Sequence, residues 1–250
     1  MRTRTLPLLL CGALLASCGS DTPSVESADV PTTDSTTSPA IQAEWSGYYD
    51  GTLPSIGRPD IAMQLWVRND STFVLRQRYN DMDSMAFGTI GKWHVVNGLM
   101  TIDTGTDKSD FWKYTGNGIE EVDEMGEASK TSLNNILEKH AGELHDEIPR
   151  MRLTGTFTYL ADAMSFQPCG TSINWPCAGG EQWTDEGEKG GSLNTLELER
   201  HYARSVKQGG EPWTISVECS MAMGPAMEGD GVDEYLFIHR VVSDTVTCPK

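Results

Sequence analysis

Ile61-Ala62-Met63-Gln64-Leu65-Trp66-Val67-Arg68 is the stretch that decides the fold. Ile61, Met63, Leu65 and Val67 alternate with Ala62, Gln64, Trp66 and Arg68, which is the period-two pattern of a strand with two faces. Asn69-Asp70 reads as a turn. Phe73, Leu75 and Tyr79 then share one face of the next strand, with Arg76 and Arg78 opposite. A further strand spans 89–96, and Asn97-Gly98 is a strong hairpin signal leading into Leu99-Met100-Thr101-Ile102. Phe111 to Thr115, Gly116-Asn117-Gly118 and Ile119 to Val122 make another hairpin. The stretch 45–125 is therefore an antiparallel meander of about seven or eight short strands, and closing it into a barrel removes its exposed edges.

Working outward, residues 129–148 break this rhythm. Leu133, Ile136 and Leu137 at helical spacing suggest a short helix inside a linker. His140 and His145 lie five apart, off a shared helix face, and read as solvated. A second all-β pattern starts at Leu153, where Phe157, Tyr159 and Phe166 punctuate two strands. Residues 170–192, rich in Gly and Pro around Trp175 and Trp183, read as an irregular loop. A helix follows, capped by Asn194 with Glu197 at the capping-box position. Leu198, Tyr202 and Val206 recur along it every four residues, and Gly209-Gly210 ends it. Thr214 to Cys219 alternates as a strand, and Tyr235 to Ile238 with Val241-Val242 supply the last strands. Strands, one helix and strands again suit a small, partly open β-barrel of the oligonucleotide/oligosaccharide-binding (OB) shape. The expected fold is all-β with one helix, as two barrels in series.

The N-terminus carries an address. Arg2 and Arg4 precede an apolar core from Leu6 to Ala16, a secretory signal too short to span a bilayer. Leu15-Ala16-Ser17-Cys18 is the bacterial lipobox pattern, so residues 1–17 read as a lipoprotein signal and Cys18 as the lipid-bearing first residue. Several acyl chains on one residue give stable membrane anchoring where one gives only marginal binding. Gly19 is not an acid, which fits retention at an outer membrane. Residues 18–42 form the lipidated tether, whose Ser, Thr, Pro and Asp cannot bury a core. The expected bodies are then a barrel over 43–128, a linker over 129–149 and an OB-like domain over 150–250.

Composition excludes some partners. The chain carries a formal charge of −17, and without Arg2 and Arg4 its 17 basic residues face 36 acidic ones. Nucleic acid is a poor partner for such a chain. Cys11 lies in the signal and Cys18 is the anchor. Cys169, Cys177, Cys219 and Cys248 remain, an even set that in an exported domain reads as two disulfides with three possible connectivities. Their spacings lack the close pairs of a thiolate metal site.

A search for catalysis finds no Gly-x-Ser-x-Gly elbow, no His-Glu-x-x-His and no phosphate-cradling glycine loop, so the chain reads as a non-enzyme without a cofactor. Asp81 and Asp83 lack the rest of a calcium loop. Met221, Met223 and Met227 form a weak soft-metal motif, since thioethers suit Cu(I). Gly224-Pro225 and Gly229 place them in an expected loop.

Further motifs carry a family resemblance. They are Gly47-Tyr48-Tyr49, Gly51-x-Leu53-Pro54, Gly91-x-Trp93 and Val122-Asp123 with Gly126 in the first body. In the second they are Arg152-Leu-Thr-Gly155-x-Phe157-x-Tyr159-Leu-Ala161-Asp162-Ala163, Phe166-x-x-Cys169, Leu198-Glu199-Arg200-x-Tyr202 and Ser216-Val217-Glu218. With the signal, these resemble the NlpE family of copper-homeostasis and surface-sensing lipoproteins. The resemblance implies a lipocalin-like first barrel and an OB-fold second domain. It implies an outer-membrane lipoprotein facing the periplasm, upstream of a Cpx-type inner-membrane sensor kinase. It also implies a Cys169–Cys248 disulfide, leaving Cys177 with Cys219. The family's Cys-x-x-Cys after Leu-Pro is missing, since Ser55-Ile56-Gly57-Arg58 follows Leu53-Pro54. That departure argues against copper handling through the first domain. The leading expectation is a lipid-anchored envelope-stress and surface-sensing protein. The alternative is a periplasmic binding module for Cu(I) or a small apolar ligand.

Overall fold

Eight strands follow one another around a ring: β1 (Gly47–Leu53), β2 (Ile61–Val67), β3 (Thr72–Tyr79), β4 (Phe87–Val96), β5 (Leu99–Asp103), β6 (Ser109–Tyr114), β7 (Gly118–Val122) and β8 (Ile136–His140). Each pairs antiparallel with the next, and β8 returns to β1, so the barrel is closed. These features belong to a computed structural model that describes residues 39–55, 57–103, 109–128, 134–141, 147–180, 194–226 and 230–248. The signal, Cys18 and the tether up to residue 38 lie outside the described residues, as do Leu133, His145, Trp183 and Met227. All described residues fall in one compact unit, Ser35–Lys250.

Alternation decides what the barrel holds. Tyr49, Met63, Leu65, Phe73, Trp93, Met100, Ile102, Trp112, Ile119 and Leu137 form one buried cluster inside the ring. Each such side chain contributes roughly 1.5–3 kcal/mol relative to exposure. The interior is packed, and the open central calyx that a lipocalin-like ligand would need is filled by side chains. Asn97 and Gly98, with φ of 54° and 78°, make the tight β4–β5 hairpin. Above the ring, a short helix α1 (Pro39–Trp45) closes one end. Trp45 joins the interior cluster, the Tyr49 hydroxyl donates to its carbonyl at 2.6 Å, and Lys139 Nζ donates to the Glu44 carbonyl at 2.7 Å. The last residues of the expected tether are therefore ordered.

The short helix expected through Leu133, Ile136 and Leu137 is corrected at its described residues, where Ile136 and Leu137 open strand β8. Leu137 is fully buried between β1 and β7, where a linker helix would leave the ring open. Residues 136–140 of the expected linker thus belong to the first barrel.

The second barrel comprises β9 (Ile148–Leu160), β10 (Ala163–Pro168), β11 (Trp175–Gly179), the helix α2 (Thr195–Ser205), β12 (Trp213–Pro225) and β13 (Val232–Ser243). Its strands close in the order β9-β10-β11-β13-β12 and back to β9, with β11–β13 the parallel pair. One helix between the third and fourth strands of a five-stranded barrel is the OB arrangement. Asn194 caps α2 with a complete capping box, and Leu198 and Tyr202 face the core. Three expectations need correction. The loop over 170–192 contains β11, because Trp175 and Cys177 are buried against β10 and β13. Met221–Pro225 continue β12 rather than forming a loop, since Pro225 still pairs with Val232. The helix ends at Ser205, before Gly209-Gly210, where the Gly210 N–H donates to the Tyr159 carbonyl at 2.9 Å.

The barrels join into one continuous sheet. A parallel bridge pairs Phe87 of β4 with Arg152 of β9, and the Arg152 N–H donates to the Ala86 carbonyl at 2.7 Å. Trp66, Val74 and Ile90, on the outside of the first barrel, share a buried cluster with Ile148, Met151 and Met221 of the second. Gly88 permits this approach, because a Cβ there would strike the Met151 side chain. Beside the apolar contact, both Nη atoms of Arg68 reach Glu234, at 2.5 and 2.6 Å, and the Trp175 indole donates to Glu234 at 3.0 Å.

Candidate functional site

Cys169 opens the turn after β10, where its N–H donates to the Thr154 carbonyl at 3.0 Å. Cys248 closes the tail that follows β13. The two form a disulfide across 79 residues, with their Cα atoms 5.2 Å apart. Between Asp244 and Cys248 the described hydrogen bonds are local: the Thr245 N–H donates to the Ser243 hydroxyl, and the Ser243 and Thr245 hydroxyls lie 3.2 Å apart. The bond is thus what holds the tail against the body. Val246 and Thr247, so held, line a cleft of about 620 Å³ together with Cys169, Arg152, Phe87 and Thr89. The disulfide stands at the wall of the junction between the barrels.

The expected Cys177–Cys219 bond is absent, and both thiols are free and buried. Cys177 pairs with Leu236 and Cys219 with Ile238, on opposite sides of β13. Two strand spacings put their Cα atoms roughly 10 Å apart, beyond the ~7 Å a disulfide can bridge. Burial pushes both thiols far above the ordinary thiol range, Cys177 further through Cys219, and Cys219 further through Glu218. Neither is a nucleophile or a thiolate ligand in this state.

The methionine motif is described only at Met221 and Met223, which differ in burial. Met221 is fully buried in the second core, whereas Met223 is exposed beyond the end of β9, which pairs β12 no further than Met221. Met227 lies outside the described residues. Among the described residues, no group of three His, Cys, Asp or Glu side chains could hold a metal ion.

Two polar arrangements carried no sequence signal. Glu218, 10% exposed at its side chain, accepts two hydrogen bonds from Arg240, and Arg152 Nη2 lies 3.8 Å away. The Arg240 hydrogen bond, opposed by burial, holds the Glu218 carboxyl below its ordinary range. Ser220 Oγ and His239 Nε2 lie 2.8 Å apart, both buried. His140, expected to be solvated, sits 2.8 Å from Asp50, whose other oxygen accepts from Tyr48.

Known proteins share this pairing of domains. Residues 147–245 match the NlpE C-terminal OB domain and residues 49–132 match the NlpE N-terminal domain. The chain belongs to the NlpE family. Lipoprotein NlpE of Escherichia coli (strain K12) is 28% identical over 189 residues, covering 73% of this chain and 72% of that protein. The crystal structure of the Cpx pathway activator NlpE from Escherichia coli aligns with 77% of this chain and 92% of its own, at 20% identity and a TM-score of 0.32. That of a putative lipoprotein from Shewanella oneidensis aligns with 42% of this chain and 97% of its own, at 25% identity and a TM-score of 0.36. The N-terminal NlpE match stops at residue 132, just short of β8, which completes the ring.

Proposed function

We propose that this NlpE-family chain is a non-enzymatic envelope-stress and surface-sensing lipoprotein, lipid-anchored at the outer membrane through Cys18 and facing the periplasm. It signals by protein contact to an inner-membrane sensor kinase of the Cpx type, the pathway named for the Escherichia coli relative. The observation that carries the reading is the Cys169–Cys248 bond, a covalent clasp on an otherwise weakly held tail at the barrel junction. Reduction frees the tail there without touching either packed core. A link to redox and copper homeostasis follows from the family, with copper acting through envelope oxidation rather than through a Met221–Met223 site.

The test is an envelope-stress reporter in cells that lack any other family member. Wild type, the inner-membrane-retained Gly19→Asp variant and Cys169→Ser/Cys248→Ser are expressed at equal levels. The two variants are expected to raise the reporter several-fold over wild type. An unchanged reporter in both, with both proteins folded and at the membrane, refutes the signalling role.

A further inference from the structure

Helix α1 depends on the first barrel for its existence. Its seven residues fall short of the ~12–15 that an isolated helix needs in water. It has no acid in its first turn and no base in its last, and Glu44 puts the wrong sign near its C-terminus. The barrel supplies the missing cation. Lys139 of β8 donates to the Glu44 carbonyl, with Nζ 5.5 Å from the centre of the Tyr49 ring and 5.8 Å from that of Tyr114. Gln42 Nε2 donates to the Ser71 hydroxyl at 2.8 Å, and Ile41 packs against the interior cluster. Trp45 enters that cluster with its ring 5.4 Å from Tyr114.

Among the described elements α1 also stands nearest Cys18, so a load on the anchor reaches it first. Its contacts with the barrel run in sequence order through Ile41, Gln42, Glu44 and Trp45, and a pull from residue 38 takes them one after another. Behind it, β1 is held by seven cross-strand pairs to β2 and three to β8. α1 therefore yields before the barrel does. Once undocked it is too short to persist as a helix, so the docked and extended forms are two discrete states. Seven residues passing from ~1.5 to ~3.5 Å each lengthen the tether by about 14 Å. Release also withdraws Trp45 and uncovers Tyr49, Tyr114 and the Lys139 ammonium at that end of the barrel.

We propose that α1 is a tension latch, shut while the tether is slack and opened when the body is held farther from the membrane than the tether reaches. Residues 18–38 span at most about 75 Å. The latch rests on the signalling reading for its load, since the anchor at Cys18 and the contact made by the body are the two ends of the pull. It makes distance from the membrane a two-state property of the first barrel.

Magnetic tweezers on the full exported, unlipidated chain test this, with one handle on the Cys18 thiol and the other at the C-terminus. Wild type is expected to show a reversible step of about 14 Å at a load below that which unfolds the barrel. Lys139→Met and Gln42→Ala each remove a hydrogen bond to or from α1. Each is expected to shorten the docked lifetime at fixed load roughly tenfold and to leave barrel unfolding unchanged, and either one serves if the other misfolds. Without load, the Ser46 amide, bonded to the Gln42 carbonyl, is expected to exchange with deuterium at least about tenfold faster than that of Leu65. Absence of the early step in wild type, unchanged lifetimes in the folded variants, or a Ser46 amide that exchanges no faster than Leu65 overturns the latch. The reporter described above reads signalling separately, so a silent reporter leaves the latch standing and a missing step leaves the signalling role standing.

Discussion

Severing the Arg68–Glu234 pair should unlock the two barrels at a calculable cost. The Arg68 side chain is 7% exposed and that of Glu234 14%. Removing one partner of such a pair strands a buried charge, typically at about 3–5 kcal/mol. Arg68→Met leaves Glu234 with the Trp175 indole alone. Glu234→Gln keeps an acceptor for Trp175 but leaves the guanidinium uncompensated. Each single change is therefore expected to cost about 3 kcal/mol. Arg68→Met/Glu234→Gln strands no charge and is expected to cost about 1–2 kcal/mol in lost hydrogen bonds. Urea unfolding of all four proteins closes the cycle, with a coupling energy at the upper end of the ~0.5–3 kcal/mol range for contacting residues. A coupling below about 0.5 kcal/mol would refute the reasoning, as would single changes within the ~0.5 kcal/mol typical of surface positions.

Leu137→Ala should cost about 2–5 kcal/mol, the range for a buried leucine, when followed by chemical denaturation. A residue in a solvated linker would show almost no effect. Replacing both Cys169 and Cys248 with serine should lower stability by up to about 4.5 kcal/mol, the chain-entropy figure for a closed loop of this length. Unfolding of wild type with and without reductant should reproduce that difference. Arg240→Gln probes Glu218, whose folded carboxyl is held below its ordinary range. Such a group adds stability above its unfolded pKa, and loses it as pH falls through the lower folded value. Urea midpoints of wild type and variant should therefore differ at pH 7 and converge in acid. A gap that widens on acidification would contradict the assignment.

The sequence was most legible where burial alternates. Met63, Leu65 and Val67 show their inward face directly, and Asn97-Gly98 shows its hairpin. Asn194 and Glu197 declared the helix start, because a capping box is a local hydrogen-bonding device. Ile136-Leu137 failed as a strand signal because two adjacent apolar residues fit either period, and only closure of the ring decides between them. The register of β13 was equally silent in sequence, and it alone keeps Cys177 and Cys219 apart. The Arg68–Glu234 pair spans 166 residues, so no local pattern announces it.

The two free thiols give the molecule a memory. Cys177 and Cys219 are unbonded and buried, so the second core screens them from solvent and from the Cys169–Cys248 sulfurs. Any episode that opens this core exposes four sulfurs at once, and three ways of pairing them. Closing again with the wrong partners would trap the chain, so each excursion is written into covalent bonds. The native pattern of one bond and two sequestered thiols is then a record that the barrel has stayed shut since it first folded.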